Sequence, residues 1–142
     1  MATTEQFCTF YLNGRFFGLP VQQVQEVIRY QEITRVPLVP EVIRGLINLR
    51  GQIVLAVDLR QRLGMEGRPA SELPMNVVVR TDEGAISLLV DEIGDVLEVA
   101  EDGFEPPPGN VPSELREMIL GVHKLEQKLL HVLNTAKACQ IS

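Results

Sequence analysis

The stretch Thr34–Arg60, TRVPLVPEVIRGLINLRGQIVLAVDLR, constrains the fold more than any other part of the chain. Pro37 and Pro40 fix the backbone at its start, and Arg50–Gly51 joins two apolar runs in its middle. Pro40 suits the first turn of a helix, Glu41 complements the positive end, Arg44 the negative end, and Gly45 can cap it in the left-handed conformation. The signals together predict a single helical turn over residues 40–45. Leu46–Leu49 then reads as a strand, with Leu46, Asn48 and Arg50 on one face and Ile47 and Leu49 on the other. The run IVLAV after Gly51 is apolar throughout, which predicts a central strand buried on both sides. Asp58 is placed to cap a short helix, LRQRLG, closed by Gly64.

The flanking segments repeat the strand-and-turn pattern. Phe7–Tyr11 and Arg15–Leu19 are β-prone runs around Asn13–Gly14, a strong two-residue hairpin signal. Val21, Val24, Val27 and Ile28 then fall at helical spacing and predict an amphipathic helix of about two turns, with Glu26 on its exposed face. Ile28–Val36 reads as extended. Met65–Pro74 is a loop rich in Gly, Pro and Ser. After it, Asn76–Arg80 and Ala85–Val90 flank a DEG turn, and Ile93–Val99 is a further strand. Phe104–Pro112, FEPPPGNVP, predicts a surface loop with no regular element. Met118–Val122 and Lys128–Leu133 are the last strands, and a short helix over Asn134–Cys139 finishes the chain. Many short strands with turns between them indicate an all-β barrel or sandwich with short helices. The two strand clusters, divided near residues 65–75, predict two small barrels that share one core, since neither is large enough to be robust alone.

Charge narrows the function. The net charge of -6 argues against a nucleic-acid binder, which would need a basic footprint. Between Arg29 and Arg68 seven arginines face four acids, whereas between Asp82 and Glu117 eleven acids face the single base Arg116. That asymmetry reads either as a solvated acidic face or as a dipolar surface oriented between two partners. No apolar run approaches the roughly 20 residues that span a bilayer. MATTEQF has no basic start and no apolar core of an export signal, so Cys8 and Cys139 are expected as free thiols in a reducing cytoplasm.

Catalytic patterns are missing. His123 and His131 are the only histidines, expected at the surface or at strand edges, and no metal-ligand spacing surrounds them. No serine stands in a nucleophile elbow, and no phosphate-cradling glycine motif occurs. The neighbouring acids Asp82–Glu83, Asp91–Glu92 and Glu101–Asp102 make no acid/base pair, and Asp58 and Asp91 follow strands, where capping is the simplest role. Binding is left as the class of activity. Arg50 beside Gly51 offers a planar fork suited to a carboxylate, or else is a surface residue at a turn.

The stretch V36-P-L-V-P-E-V-I-R-G-L-I-N-L-R50-G-Q-I-V-L-A-V-D58-L-R60 resembles the signature of the CheW family, the bacterial chemotaxis coupling proteins. FGLPVQQVQEV, LLVDEIGDVL, ILGVHKL and LLHVLN extend the resemblance over essentially the whole chain. It implies a single CheW-like domain over residues 1–142, made of two five-stranded SH3-like β-barrels around a common hydrophobic core. It also implies a cytoplasmic, non-enzymatic adaptor without cofactor or metal. Its partners would be the cytoplasmic tips of methyl-accepting chemoreceptors, docked between the lobes, and the regulatory domain of a CheA-type histidine kinase. The family's receptor-side determinants fall on Val24, Glu26, Gly45 and Arg50, while kinase contacts are not assigned. Leu55 and Ser87 depart from the proline and glycine common in the family. Glu26 and Arg50 are expected as a partly exposed ion pair that orients the arginine fork. The alternatives are a coupler for a twitching or gliding output and, from another class, a small β-barrel that binds a ligand or nucleic acid; net acidity and few exposed aromatics disfavour the latter.

Overall fold

The structure, a computed structural model, describes residues 3–140. Chain order runs through β1 (Thr4–Leu12), β2 (Arg15–Pro20), β3 (Val24–Ile28), β4 (Ile43–Leu49), β5 (Gln52–Asp58), α1 (Leu59–Arg62), β6 (Met75–Thr81) and β7 (Gly84–Val90). It continues through β8 (Glu92–Ala100), β9 (Phe104–Glu105), α2 (Ser113–Met118), β10 (Ile119–Lys124), β11 (Leu129–Leu133) and α3 (Thr135–Ala138).

Two hairpins form where the turn residues predict them. Asn13–Gly14 and Arg50–Gly51 both have positive φ at both positions, the primed turn whose twist matches its strands. The strands assemble into a five-stranded sheet, β3-β6-β7-β5-β4, and a six-stranded sheet, β8-β1-β2-β11-β10-β9. The sixth strand is the two-residue β9, inside a segment expected to hold no regular element. Each sheet returns on itself. In the five-stranded sheet the chain beyond β3 reaches β4, where Thr34 and Leu46 exchange two backbone hydrogen bonds of 2.8 Å. In the six-stranded sheet a one-turn 3₁₀ helix, Glu101–Gly103, carries β8 directly into β9, so the two end strands are joined.

The division of the chain differs from the expected one. Residues 65–74 link α1 to β6, and both β5 and β6 belong to the five-stranded sheet. The two sheets part after β2 and after β7 instead. Sequence proximity misleads here because β2 pairs in parallel with β11, at His131↔Phe17 and Val132↔Gly18, which brings the two ends of the chain into one sheet.

Each strand's period of two sorts its side chains between cores. On the five-stranded sheet Val57, Val77, Val79, Ile86 and Leu88 meet Phe10, Leu12, Phe17 and Leu19 of the six-stranded sheet in one shared core. The alternate positions Ile47, Leu49, Val54, Ala56, Val78 and Leu89 fill a core private to the five-stranded sheet. Phe7, Phe16, Leu130 and Val132 do the same for the six-stranded sheet. Each of the larger of these side chains, valine upwards, contributes about 1.5–3 kcal/mol when fully buried. The rings of Phe10 and Phe17 stack at 5.7 Å in the shared core. Leu115 and Ala138 seal it from α2 and α3.

Four local expectations are corrected. Residues 21–28 do not form one helix: Val21–Gln23 is a single 3₁₀ turn and β3 follows. The apolar spacing there fits a bulged strand as well, because the register shifts between Val24, opposite Val79, and Glu26, opposite Val78. Residues 40–45 do not form a capped helical turn, since Ile43 already begins β4 and Gly45 is buried inside the strand. The run after Gly51 is not buried on both sides throughout, for Ile53 is 61% exposed. His123 and His131 are buried core residues rather than surface ones. Asp58, by contrast, caps α1 as expected, accepting from the N–H of Gln61. Both cysteines are free thiols, Cys139 buried and Cys8 half-buried.

Candidate functional site

Arg50 stands at the tip of the β4–β5 hairpin with φ of 55°, a left-handed conformation that the primed turn requires. Asn48 fixes that turn, its Oδ1 accepting from the N–H of Gly51 at 2.9 Å. A rigid tip therefore carries a long cation. Its Nη1 donates to Glu26 Oε2 at 3.2 Å, and the arginine side chain remains 78% exposed against 19% for the glutamate. Glu26 shares its face of β3 with Val78 of the private core, so its carboxylate rises from inside the closed sheet towards the hairpin. Its other oxygen, Oε1, is buried and has no hydrogen-bond partner among the described residues.

The other two residues singled out from the sequence take no part in this ion pair. Gly45 is at the opposite half of β4 and has φ of 148°. A Cβ there would come within 2.2 Å of the Thr34 carbonyl oxygen, so the glycine makes room for the bridge that closes the sheet. Val24 packs half-buried against the shared core, and its carbonyl accepts from Arg80 Nη1 at 3.3 Å. The structure thus brings Glu26 and Arg50 together, with Val24 two residues before Glu26 on the same strand and Gly45 inside β4 against the Thr34 backbone.

Around this pair the outer face of the hairpin is partly apolar. Cross-strand pairing sets Leu46 beside Leu55 and Asn48 beside Ile53. Ile53 is exposed and both leucines are half-buried, an uncovered continuation of the face that elsewhere lines the shared core. The Leu55 position accommodates leucine as a partly buried side chain here. Ser87, the other departure, is fully buried and donates to Asn76 Oδ1 at 2.7 Å, while Asn76 Nδ2 donates to the Arg29 carbonyl at 3.0 Å. That chain of bonds ties the exit of β3 to the centre of the sheet.

One polar cluster was missed from the sequence. Asp91, at the crossing from β7 to β8, accepts from Arg60 at 2.9 and 2.5 Å, from Arg68 at 2.8 Å and from the N–H of Asn13 at 2.7 Å. Burial pushes its carboxyl up, but the hydrogen bonds from Arg60, Asn13 and Arg68 outweigh this and hold it below the ordinary value. Only the DLR motif and LLVDE hinted at it, and nothing in the sequence joined them. His123 lies between the rings of Phe7, at 5.7 Å, and Phe104, at 5.2 Å, and burial holds its imidazole below the ordinary value. His131 Nδ1 is 2.8 Å from the Phe16 carbonyl oxygen. Among the described residues no three His, Cys, Asp or Glu side chains group as metal ligands, and no helix is long and apolar enough to cross a membrane.

Two closed sheets share a core, and one exposed arginine stands on the hairpin of the smaller sheet. A family model described as CheW-like domain matches residues 6–141. The chemotaxis protein CheW of Bacillus subtilis (strain 168) is 31% identical over 132 residues, which cover 93% of this chain and 85% of that protein. Protein PilI of Pseudomonas aeruginosa is 31% identical over 121 residues, 85% of this chain and 68% of that protein. The crystal structure of the scaffolding protein TtCheW from Thermoanaerobacter tengcongensis matches with a TM-score of 0.83 at 30% identity, covering 93% of this chain and 90% of that one. The chain belongs to the CheW-like domain family, and its CheW homologues are scaffolding proteins, not enzymes. Its two-sheet architecture is the two-barrel CheW fold.

Proposed function

We propose that this chain couples methyl-accepting chemoreceptors to a CheA-type histidine kinase in the cytoplasm, within membrane-associated receptor arrays. The receptor tip engages the Arg50 end of the five-stranded barrel, between the lobes. The observation that carries this reading is the Arg50–Glu26 pair. An exposed ion pair contributes only about 0–1 kcal/mol to stability, and a buried unpartnered carboxylate oxygen costs about 1–3 kcal/mol. Folding alone therefore gives little reason to keep it. Its use is to aim the guanidinium, which presents its remaining donors to a carboxylate or carbonyl on the partner. Ile53, Leu46 and Leu55 supply apolar surface beside it, the combination of an arginine anchor and an apolar patch that recurs in protein interfaces.

The test is a pull-down with receptor cytoplasmic fragments. Arg50→Glu is expected to remain folded and to lose receptor binding; intact binding by the folded variant would overturn the assignment. A coupler for an output other than flagellar chemotaxis is the second reading, and the likeness to Protein PilI, a relative whose name does not mention chemotaxis, supports it.

A further inference from the structure

Asn48 lies near the end of β4, exposed and opposite Ile53. Strands disfavour asparagine, whose short amide competes for backbone groups, and favour β-branched side chains at such a position. Arg50, at the corner that follows, is equally out of place. The first corner of a primed turn favours glycine, asparagine or aspartate, because a longer side chain is crowded at positive φ. The other primed turn of the chain obeys that rule, with Asn13 at φ of 49° where this one has Arg50 at 55°.

One hydrogen bond reconciles the two choices. Asn48 Oδ1 accepts from the N–H of Gly51 at 2.9 Å and so spans the corner that Arg50 occupies. Among the described residues the Asn48 side chain makes no other hydrogen bond. The Asn13 turn also has a side-chain acceptor, Asp91 Oδ2 at 2.7 Å from the N–H of Asn13, but that carboxylate arrives from the β7–β8 crossing. Asn48 braces only its own hairpin. The direction of the Arg50 side chain follows from this backbone: Nη1 meets Glu26 Oε2 at 3.2 Å while the side chain stays 78% exposed. A turn of the opposite hand would splay β4 from β5 and carry the guanidinium away from Glu26.

We propose that Asn48 is a positioning residue for receptor docking: it holds the Arg50 backbone left-handed, so that the guanidinium meets the receptor already aimed. This rests on the coupling reading and adds to it a residue that acts through Arg50. Its contribution is preorganisation, since a tip that had to be ordered on binding would weaken the complex.

The experiment uses the full chain and a receptor cytoplasmic fragment, with affinity read by titration calorimetry and exchange of the Gly51 amide read by NMR without receptor. Asn48→Ala is expected to stay folded, to lose protection of the Gly51 amide and to bind receptor about fivefold more weakly, the effect of one hydrogen bond. Asn48→Asp keeps the acceptor and is expected to restore both protection and binding. In an Arg50→Ala background, Asn48→Ala is expected to cause no further loss, because the group it aims is gone. Wild-type affinity in a folded Asn48→Ala chain would overturn the proposal. Losses that add in full in the double variant would also overturn it, by making Asn48 a direct contact. A wild-type chain that binds no receptor fragment would instead overturn the coupling reading and this role with it, whatever the Gly51 amide shows.

Discussion

Arg60 on α1 and Asp91 at the crossing between the two sheets form a double hydrogen bond, from Nε at 2.9 Å and Nη2 at 2.5 Å. The same carboxylate holds Arg68 of the 65–74 connector and the turn N–H of Asn13 between β1 and β2. Arg60 also donates to the carbonyls of Glu66 and Gly67 at 3.2 and 3.4 Å. One anion thus fastens a connector of the five-stranded barrel to the first hairpin of the six-stranded one. It adds a polar tie between the lobes to the apolar core they share.

Removing that charge should be costly, because two largely buried guanidinium groups lose their counter-ion. Asp91→Asn is expected to lower the unfolding free energy by about 2–3 kcal/mol in denaturant titrations, and to speed amide exchange at Asn13 and along residues 66–73. The pH dependence has a definite sign. The folded carboxyl is held below its ordinary 3.8, so its stabilisation is complete above that value and is lost as pH falls through the lower folded value. The wild type should weaken in that acidic window and Asp91→Asn should weaken less; parallel pH curves would contradict the clamp.

Gly45 separates framework from contact. Gly45→Ala places a methyl 2.2 Å from the Thr34 carbonyl oxygen at a φ of 148°. The closing bridge must open, and a loss of about 2–4 kcal/mol in unfolding free energy is expected. Binding of receptor and kinase should decline together with the fraction folded. A fully stable Gly45→Ala chain defective only towards receptor would instead make the glycine a direct contact.

The two buried histidines give a third test. Burial holds His123 below 6.5, partly opposed by Glu5, and holds His131 below 6.5 despite the Phe16 carbonyl. The unfolded chain therefore takes up protons that the folded chain resists. Stability should be complete above 6.5 and decline as pH drops below it, and chemical denaturation at about pH 7.5 and about pH 5.5 measures the difference. His123→Phe, which keeps an aromatic between Phe7 and Phe104, should reduce that decline. Equal stability of the wild type at both pH values would refute this account of the imidazoles.

These tests divide along the line of what a sequence discloses. The hairpins at Asn13–Gly14 and Arg50–Gly51 were legible because turn chemistry and strand alternation act over a few residues. So were the Asp58 cap and the pairing of Arg50 with Glu26, the latter through family resemblance. The β3 strand was hidden because its bulge at Gln25 breaks the two-residue period and leaves a spacing that also suits a helix. Gly45 looks like a helix cap in the sequence because the reason for a glycine there, the Thr34 backbone, arrives from a segment outside its local pattern. Asp91 was unreadable for the same cause: its partners Arg60 and Arg68 are 31 and 23 residues away. The lobe division failed because one long-range pairing, β2 with β11, has no local signature.

Reconstitution with a CheA-type kinase and receptor cytoplasmic fragments tests the central claim most directly, with kinase autophosphorylation as the readout. Adding this chain should make autophosphorylation depend on the receptor, and the folded Arg50→Glu variant should abolish that dependence. Autophosphorylation that is the same with and without the chain, at concentrations saturating for its relatives, would contradict the coupling function.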